Sequence, residues 1–297
     1  MIDSLLVGEC LLPLSTATFL AKGNGTAATI PRSMSYRYIK YQLRVEAVWI
    51  TLNRPEVHNA LNQQMLEELG DAIRRGDGES AASMVITGAG DSAFCSGGDV
   101  LEMRDFDPAI GRAFLACFAD AIKSIRMAGK PVIARIDGFC LGGGNELNLS
   151  CDLSIASERS IFGQVGARVG GVPVVGATEL LPGTVGEKKA KEIVFLCQRY
   201  TAADAVHMGL VNRVVPYEDL DRVVGEWTSR IAGVSPQALR VTKRCLNRRT
   251  DGILPSSEQL DEIATIYGTE EYREGMSAFL EKRRPDFRRF RPSQRGS

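Results

Sequence analysis

A chain of 297 residues with 44% hydrophobic content and 30 glycines has enough apolar material for a large packed core, which excludes a mini-protein, a collagen or a disordered tail. Lysine plus arginine and aspartate plus glutamate both number 36, so no net charge draws the protein toward nucleic acid, a membrane surface or an acidic partner. The two histidines, His58 and His207, are too few for a three-histidine zinc site, which steers catalysis toward carboxylates and backbone donors.

The first 33 residues read as a loosely ordered extension. Leu11 to Ala21 resembles a short apolar leader, yet Asp3 and Glu9 precede it where lysine or arginine belongs, so it does not read as a secretory signal. Met34, just before the first patterned strand, is a plausible second start. Gly23 to Ala28 matches a GxGxxA dinucleotide fingerprint, but Pro31 stands where its helix should run and no buried strand precedes it, so the match is discarded. No apolar run approaches the roughly 20 residues that span a bilayer. The seven cysteines are widely spaced with no CxxC, a pattern of reduced thiols in a cytoplasmic enzyme without a structural metal.

Tyr36 to Leu43 and Val45 to Leu52 alternate as a β-hairpin would, and Asn62 to Arg75 carries Met65, Leu66, Leu69 and Ile73 at helical spacing. Ser83 to Thr87 reads as a buried strand, Pro108 to Met127 as an amphipathic helix, and Pro131 to Ile136 as another buried strand. Asp152 to Ala156 and Ile161 to Gly163 are strand-like. From Glu187 onward every periodic segment reads as helix: 187–197, 201–209, 219–232, 235–249, 256–267 and 270–283, punctuated by Gly233, Pro236, Pro255 and Gly268. The expected organisation is a core over 34–228 and a helical region over 229–297.

Three words carry chemistry: Ala93-Phe94-Cys95-Ser96-Gly97-Gly98-Asp99, Ile136 to Leu147 with its run Gly142-Gly143-Gly144-Asn145-Glu146, and Phe162-Gly163-Gln164. The first two follow apolar strands. Glycine at a strand-to-helix turn lets bare backbone N–H groups approach a ligand, and the following helix adds partial positive charge. Two such turns facing each other make an oxyanion hole, and Glu146, two residues past the second turn, is placed to act as a base beside it. Taken alone, each glycine run reads equally well as a tight turn with close helix packing.

With Asn53-Arg54-Pro55 to Asn59-Ala60-Leu61-Asn62, Ala202 to Gly209-Leu210-Val211, and Glu274-Gly275-Met276-Ser277-Ala278-Phe279 plus Lys282, these words resemble the crotonase (enoyl-CoA hydratase/isomerase) superfamily over about residues 36 to 290. The resemblance implies an α/β fold, a spiral of ββα units with a helical C-terminal region that forms a trimer or a dimer of trimers. It implies an acyl-CoA substrate, with coenzyme A as part of that substrate and no separate cofactor. The thioester oxygen would lie between the N–H groups of Gly98 and Gly143. Glu56, Val57 and His58 would lie along the adenine and pantetheine, with Ser96, Asp99 and Gly142 also at the CoA site. Phe279 and Lys282 would reach the CoA of a neighbouring subunit. Glu146 matches the first glutamate of a two-glutamate hydratase.

One position departs from that pattern. The second glutamate of the hydratases would stand at Gly166, which weakens simple hydration and demotes double-bond isomerisation further. Phe162 to Gly170 is similar to the branch of naphthoyl-CoA synthase and the alicyclic ring-opening hydrolases, and Gly176 to Pro182 to the latter in particular. The loop Gly171 to Val175 holds no carboxylate, which disfavours naphthoyl-type ring closure. The first expectation is therefore a lyase adding water to an enoyl-CoA through a thioester enolate, in fatty acid or aromatic degradation. The alternative is a hydrolase cleaving a C–C bond of a cyclic β-ketoacyl-CoA. Glu179 is the candidate second acid.

Other residues have plainer readings. Cys95 and Cys140 are apolar fillers with no histidine to activate them, Asp99 is a helix cap, Asp152 is structural, and His207 is a packed or surface residue rather than a catalytic one. From Glu281 to Ser297, Lys282 and six arginines face only Glu281 and Asp286. This tail suggests a different class, a non-catalytic acyl-CoA or RNA binder, against which the retained Glu146 argues.

Overall fold

The computed structural model describes residues 36–173, 176–251 and 255–290. The expected N-terminal extension and the discarded fingerprint lie outside the described residues, all of which fall within the unit Tyr36–Ser297.

The chain opens with an antiparallel pair, β1 (Ile39–Leu43) and β2 (Ala47–Leu52), in which Ile39 faces Leu52 and Leu43 faces Val48. Asn62 then caps α1 (Gln63–Gly78), its side-chain oxygen accepting from the Met65 N–H at 2.9 Å. The α1 face carrying Met65, Leu66, Leu69 and Ile73 is fully buried. Next come β3 (Ser83–Gly88), the short β4 (Ala93–Cys95) and α2 (Val100–Met103). The long helix α3 (Pro108–Met127) has the expected bounds, started by Asp107 accepting from the Ile110 N–H and by a proline in its first turn.

The pattern then repeats with β5 (Val132–Ile136), the three-residue β6 (Phe139–Leu141) and α4 (Gly143–Ser150). It begins again with β7 (Leu153–Ser157) and β8 (Ile161–Gly163). The first strand of each pair joins one sheet, ordered β1-β2-β3-β5-β7 and closed by a strand described below, and the second strand joins another. β2, β3, β5 and β7 pair in parallel, as do β4, β6 and β8. The ends of the short strands β4 and β6 thus lie side by side, and both lead into glycine turns.

After two short helices, α5 (Leu181–Val185) and α6 (Glu187–Leu196), the chain departs from the expected all-helical remainder. β9 (Tyr200–Thr201) pairs antiparallel with β8, and β10 (Arg213–Val215), beyond α7 (Ala202–His207), pairs parallel with β7 at the edge of the first sheet. Both strands are too short to show a period, and it is their sheet partners that make them strands. The helices α8 (Leu220–Ala232), α9 (Pro236–Asp251), α10 (Ser257–Ala264) and α11 (Glu270–Leu280) follow. α9 is joined to the core by Lys243, whose ammonium donates to the carbonyls of Ile125 and Lys130 and to the Asp152 carboxylate at 2.6 Å. Asp152 in turn accepts from the Val132 N–H, so its structural reading holds.

Candidate active site

The first glycine turn is held by Leu61, whose N–H donates to the Gly97 carbonyl at 2.8 Å and whose carbonyl accepts from the Asp99 N–H at 2.9 Å. Asp99 caps α2 by accepting from the Leu101 N–H and also pairs with Arg54 at 2.8 Å. Arg54 donates to the Ala60 carbonyl, and Asn59 donates to the carbonyls of Ala89 and Ala93. The motif around Asn59 therefore clasps this turn. Asp99 serves here as cap and ion-pair partner.

The second turn is fixed by the Gly142 N–H donating to the Gly163 carbonyl at 2.9 Å. Gly142 has φ +51°, and Gly97 opposite has φ +104°, backbone states that side chains disfavour. A Cβ on Gly144 would stand 2.3 Å from the Cys95 carbonyl oxygen. The start of α4 is thus pressed onto β4, and the two turns face each other.

Gly98, Gly143 and Glu146 line one cavity of about 140 Å³. Among the described residues neither the Gly98 nor the Gly143 N–H is used in a backbone hydrogen bond, and Gly143 opens α4, whose axis adds partial positive charge. Glu146, in the first turn of α4, is 2% exposed. Leu61, Phe114, Phe118 and Met276 supply apolar wall. The arrangement puts two backbone donors and one buried carboxylate around a space large enough for a small acyl group.

Of the other sequence candidates, Ser96, Gly142 and Phe279 line the cavity, Phe279 doing so within its own chain. Glu56, Val57 and His58 are exposed beside it: the Ser96 N–H donates to the His58 carbonyl at 3.0 Å, and the His58 ring meets Phe139 edge-on. Lys282 is exposed just beyond α11. Glu179 lies outside the cavity lining, its carboxylate accepting from the Gly176 N–H at 3.1 Å, while Gly176 backs onto Glu146. Gly166 is in the cavity wall.

Burial pushes the Cys95 thiol up to about 12 and the Cys140 thiol well above its ordinary range, which fits filler thiols rather than nucleophiles. His207 is exposed at the end of α7. Arg283 and Arg289 of the basic tail pair with Glu274, so part of that charge is already balanced. Among the described residues no group of three or more His, Cys, Asp or Glu side chains is placed to hold a metal ion, and no helix is long and apolar enough to cross a membrane.

A family model described as enoyl-CoA hydratase/isomerase matches residues 45–290. The chain belongs to the enoyl-CoA hydratase/isomerase family. Among solved structures, an enoyl-CoA hydratase/isomerase from Xanthobacter autotrophicus Py2 is 34% identical with a TM-score of 0.76, over 87% of this chain and 100% of that one. An enoyl-CoA hydratase from Mycobacterium avium subsp. paratuberculosis K-10 is 26% identical with a TM-score of 0.77, over 85% and 99% of the two chains. One from Bacillus anthracis is 32% identical with a TM-score of 0.69, over 84% and 98%. The family and the α/β spiral expected from the motifs are thus established, and with them the general activity of an acyl-CoA-processing enzyme.

Sequence reasoning passed over two polar groups in the cavity. Gln164 is 1% exposed and its amide nitrogen has no partner among the described residues, and Tyr267, between α10 and α11, is 3% exposed. Gln164 was visible as part of a motif but with no role attached. Tyr267 lies in no motif and reaches the cavity only through tertiary packing.

Proposed function

We propose that this family member adds water to an enoyl-CoA, with the thioester oxygen held by the N–H groups of Gly98 and Gly143 and with Glu146 as the base. The observation that carries this reading is the buried Glu146 carboxylate in the same cavity as both glycine turns. Glu146 takes a proton from water as the oxygen bonds to the β-carbon. The alkene pair moves onto the thioester as an enolate, whose charge the two backbone donors stabilise. The same carboxyl then returns its proton to the α-carbon and the thioester carbonyl re-forms. With no second carboxylate among the described residues of the cavity lining, both proton transfers fall to one group, so addition occurs on one face of the alkene.

A second reading, C–C hydrolysis of a cyclic β-ketoacyl-CoA, is favoured by Gly166 standing in the cavity wall where a two-glutamate hydratase would carry its other acid. Here Glu146 would activate water toward the β-carbonyl, and bond cleavage would leave the same thioester enolate. A panel of CoA thioesters followed by mass spectrometry separates the two: water gained with the ring kept means hydration, and water gained with a new carboxylate means ring opening. Glu146→Gln is expected to lower turnover by a hundredfold or more. Turnover within a few-fold of wild type would overturn the assignment of the base.

As its assembly we propose a homotrimer or a dimer of trimers, to which exposed apolar side chains such as Phe195, Leu196 and Leu246 contribute.

A further inference from the structure

Two hydrogen-bond donors in the cavity are left unused by the mechanism above. The Tyr267 ring is fixed on α3: a Cβ on Gly111 would fall 2.1 Å from its Cδ2 atom, so only glycine there leaves room for it. Phe106 and Tyr272 pack around it, with ring centroids 5.8 Å and 5.1 Å away. The neighbouring Tyr272 spends its hydroxyl on the Met103 carbonyl at 2.8 Å. The Tyr267 hydroxyl makes no hydrogen bond to any described residue, although the residue is 3% exposed and lines the cavity. Burial, reinforced by the negative charge of Glu146, pushes its phenol upward, so it stays protonated and serves as a donor.

Gln164 approaches the same cavity from the turn after β8. Its amide nitrogen is buried and has no hydrogen-bond partner among the described residues, and a buried donor is costly to leave unsatisfied unless a ligand meets it. The neighbouring wall position, Gly166, adds no side chain. In the cavity that holds the Glu146 carboxylate, Tyr267 and Gln164 therefore offer neutral donors, the chemistry that an uncharged oxygen accepts from.

We propose that the Tyr267 hydroxyl and the Gln164 amide N–H donate to the oxygen on the substrate's β-carbon, making this cavity selective for acyl thioesters that carry or acquire oxygen there. The proposal rests on the acyl-CoA reading above. In hydration that oxygen arrives as water, and in a 3-oxoacyl thioester it is the carbonyl oxygen. Both place an acceptor on the β-carbon: a carbonyl oxygen accepts from both donors, whereas the attacking water, which needs one lone pair for the new C–O bond, accepts from one of them until it has become the β-hydroxyl.

Calorimetric titration with acetoacetyl-CoA, which has the β-oxygen, and butyryl-CoA, which lacks it, tests the idea on the full-length protein. Wild type is expected to favour acetoacetyl-CoA at least tenfold. Tyr267→Phe, which keeps the ring on Gly111, and Gln164→Met should each shrink that preference to under threefold by weakening acetoacetyl-CoA alone, with unfolding temperatures unchanged. An unaltered preference in both variants, or equal loss of affinity for both thioesters, would overturn the proposal while leaving the acyl-CoA reading intact. If neither thioester binds wild type better than free CoA, the acyl-CoA reading itself fails. Turnover separates the two sources of oxygen: a tenfold loss of hydration with 2-butenoyl-CoA in Tyr267→Phe assigns the pair to water, and a loss confined to acetoacetyl-CoA cleavage assigns it to the carbonyl.

Discussion

Gly97 is packed against Gly143: a Cβ on Gly97 would stand 3.4 Å from the Gly143 nitrogen and 3.1 Å from the Leu141 carbonyl oxygen. The contact joins the two turns that carry the oxyanion donors. Gly97→Ala must either abandon φ +104° or push the second turn away. Turnover is expected to fall about a hundredfold, near the ~3 kcal/mol associated with one lost oxyanion donor, with the circular dichroism spectrum preserved. Steady-state kinetics within threefold of wild type would show that the facing turns do not set the oxyanion geometry.

Lys243 and Asp152 should behave as a pair. Lys243→Met leaves Asp152 without its cation and is expected to cost about 3 kcal/mol in urea unfolding, whereas adding Asp152→Asn should recover part of the loss. Burial already holds the Asp152 carboxyl above its ordinary value, against the pull of Lys243 and the Val132 N–H. Without the lysine it rises further. A raised carboxyl favours the folded state once protonated, so the deficit of Lys243→Met should narrow as pH falls from 7 to 5.

Glu274 titrates in the opposite sense. Hydrogen bonds from Arg283 and from the Asp286 N–H bring its carboxyl down to about 2. A lowered carboxyl contributes stability above its unfolded value, near 4.3, and that contribution disappears as pH falls toward 2. Urea midpoints measured between pH 5 and 2 should therefore drop more steeply for wild type than for Glu274→Gln. Parallel curves would contradict the assignment.

Thiol alkylation distinguishes filler cysteines from accessible ones. Cys245 is exposed, whereas Cys95 and Cys140 are fully buried with raised thiols. Iodoacetamide at pH 8 should label Cys245 in the native protein and reach Cys95 and Cys140 only after unfolding. Peptide mass spectrometry reads the order directly, and early labelling of Cys95 would reopen a nucleophilic role.

Asn62, read as part of the helix, turned out to be the cap of α1, whereas the apolar stripe of α1 and the bounds of α3 were legible in the sequence because helical spacing is a local signal. β4, β6, β9 and β10 were not, since two or three residues carry no period and become strands only through their sheet partners. Gly98, Gly143 and Glu146 could be picked out because glycine at a strand-to-helix turn has a backbone meaning. That the two turns face each other depends on Gly144 meeting Cys95, a contact between distant segments. Tyr267 was hidden for the same reason: its position is set by Gly111, on a helix far back along the chain.

The wall of the cavity combines Leu61 and Gly98 from early in the chain, Gly143 and Glu146 from its middle, and Tyr267, Met276 and Phe279 from its last segments. During synthesis the oxyanion turns and Glu146 leave the ribosome well before α11 exists, so a nascent chain carries the base and its donors in an unroofed, water-filled groove. Competence therefore begins late, when the last helices dock, and a chain interrupted before α10 would hold every reacting group and still lack the enclosure in which they act.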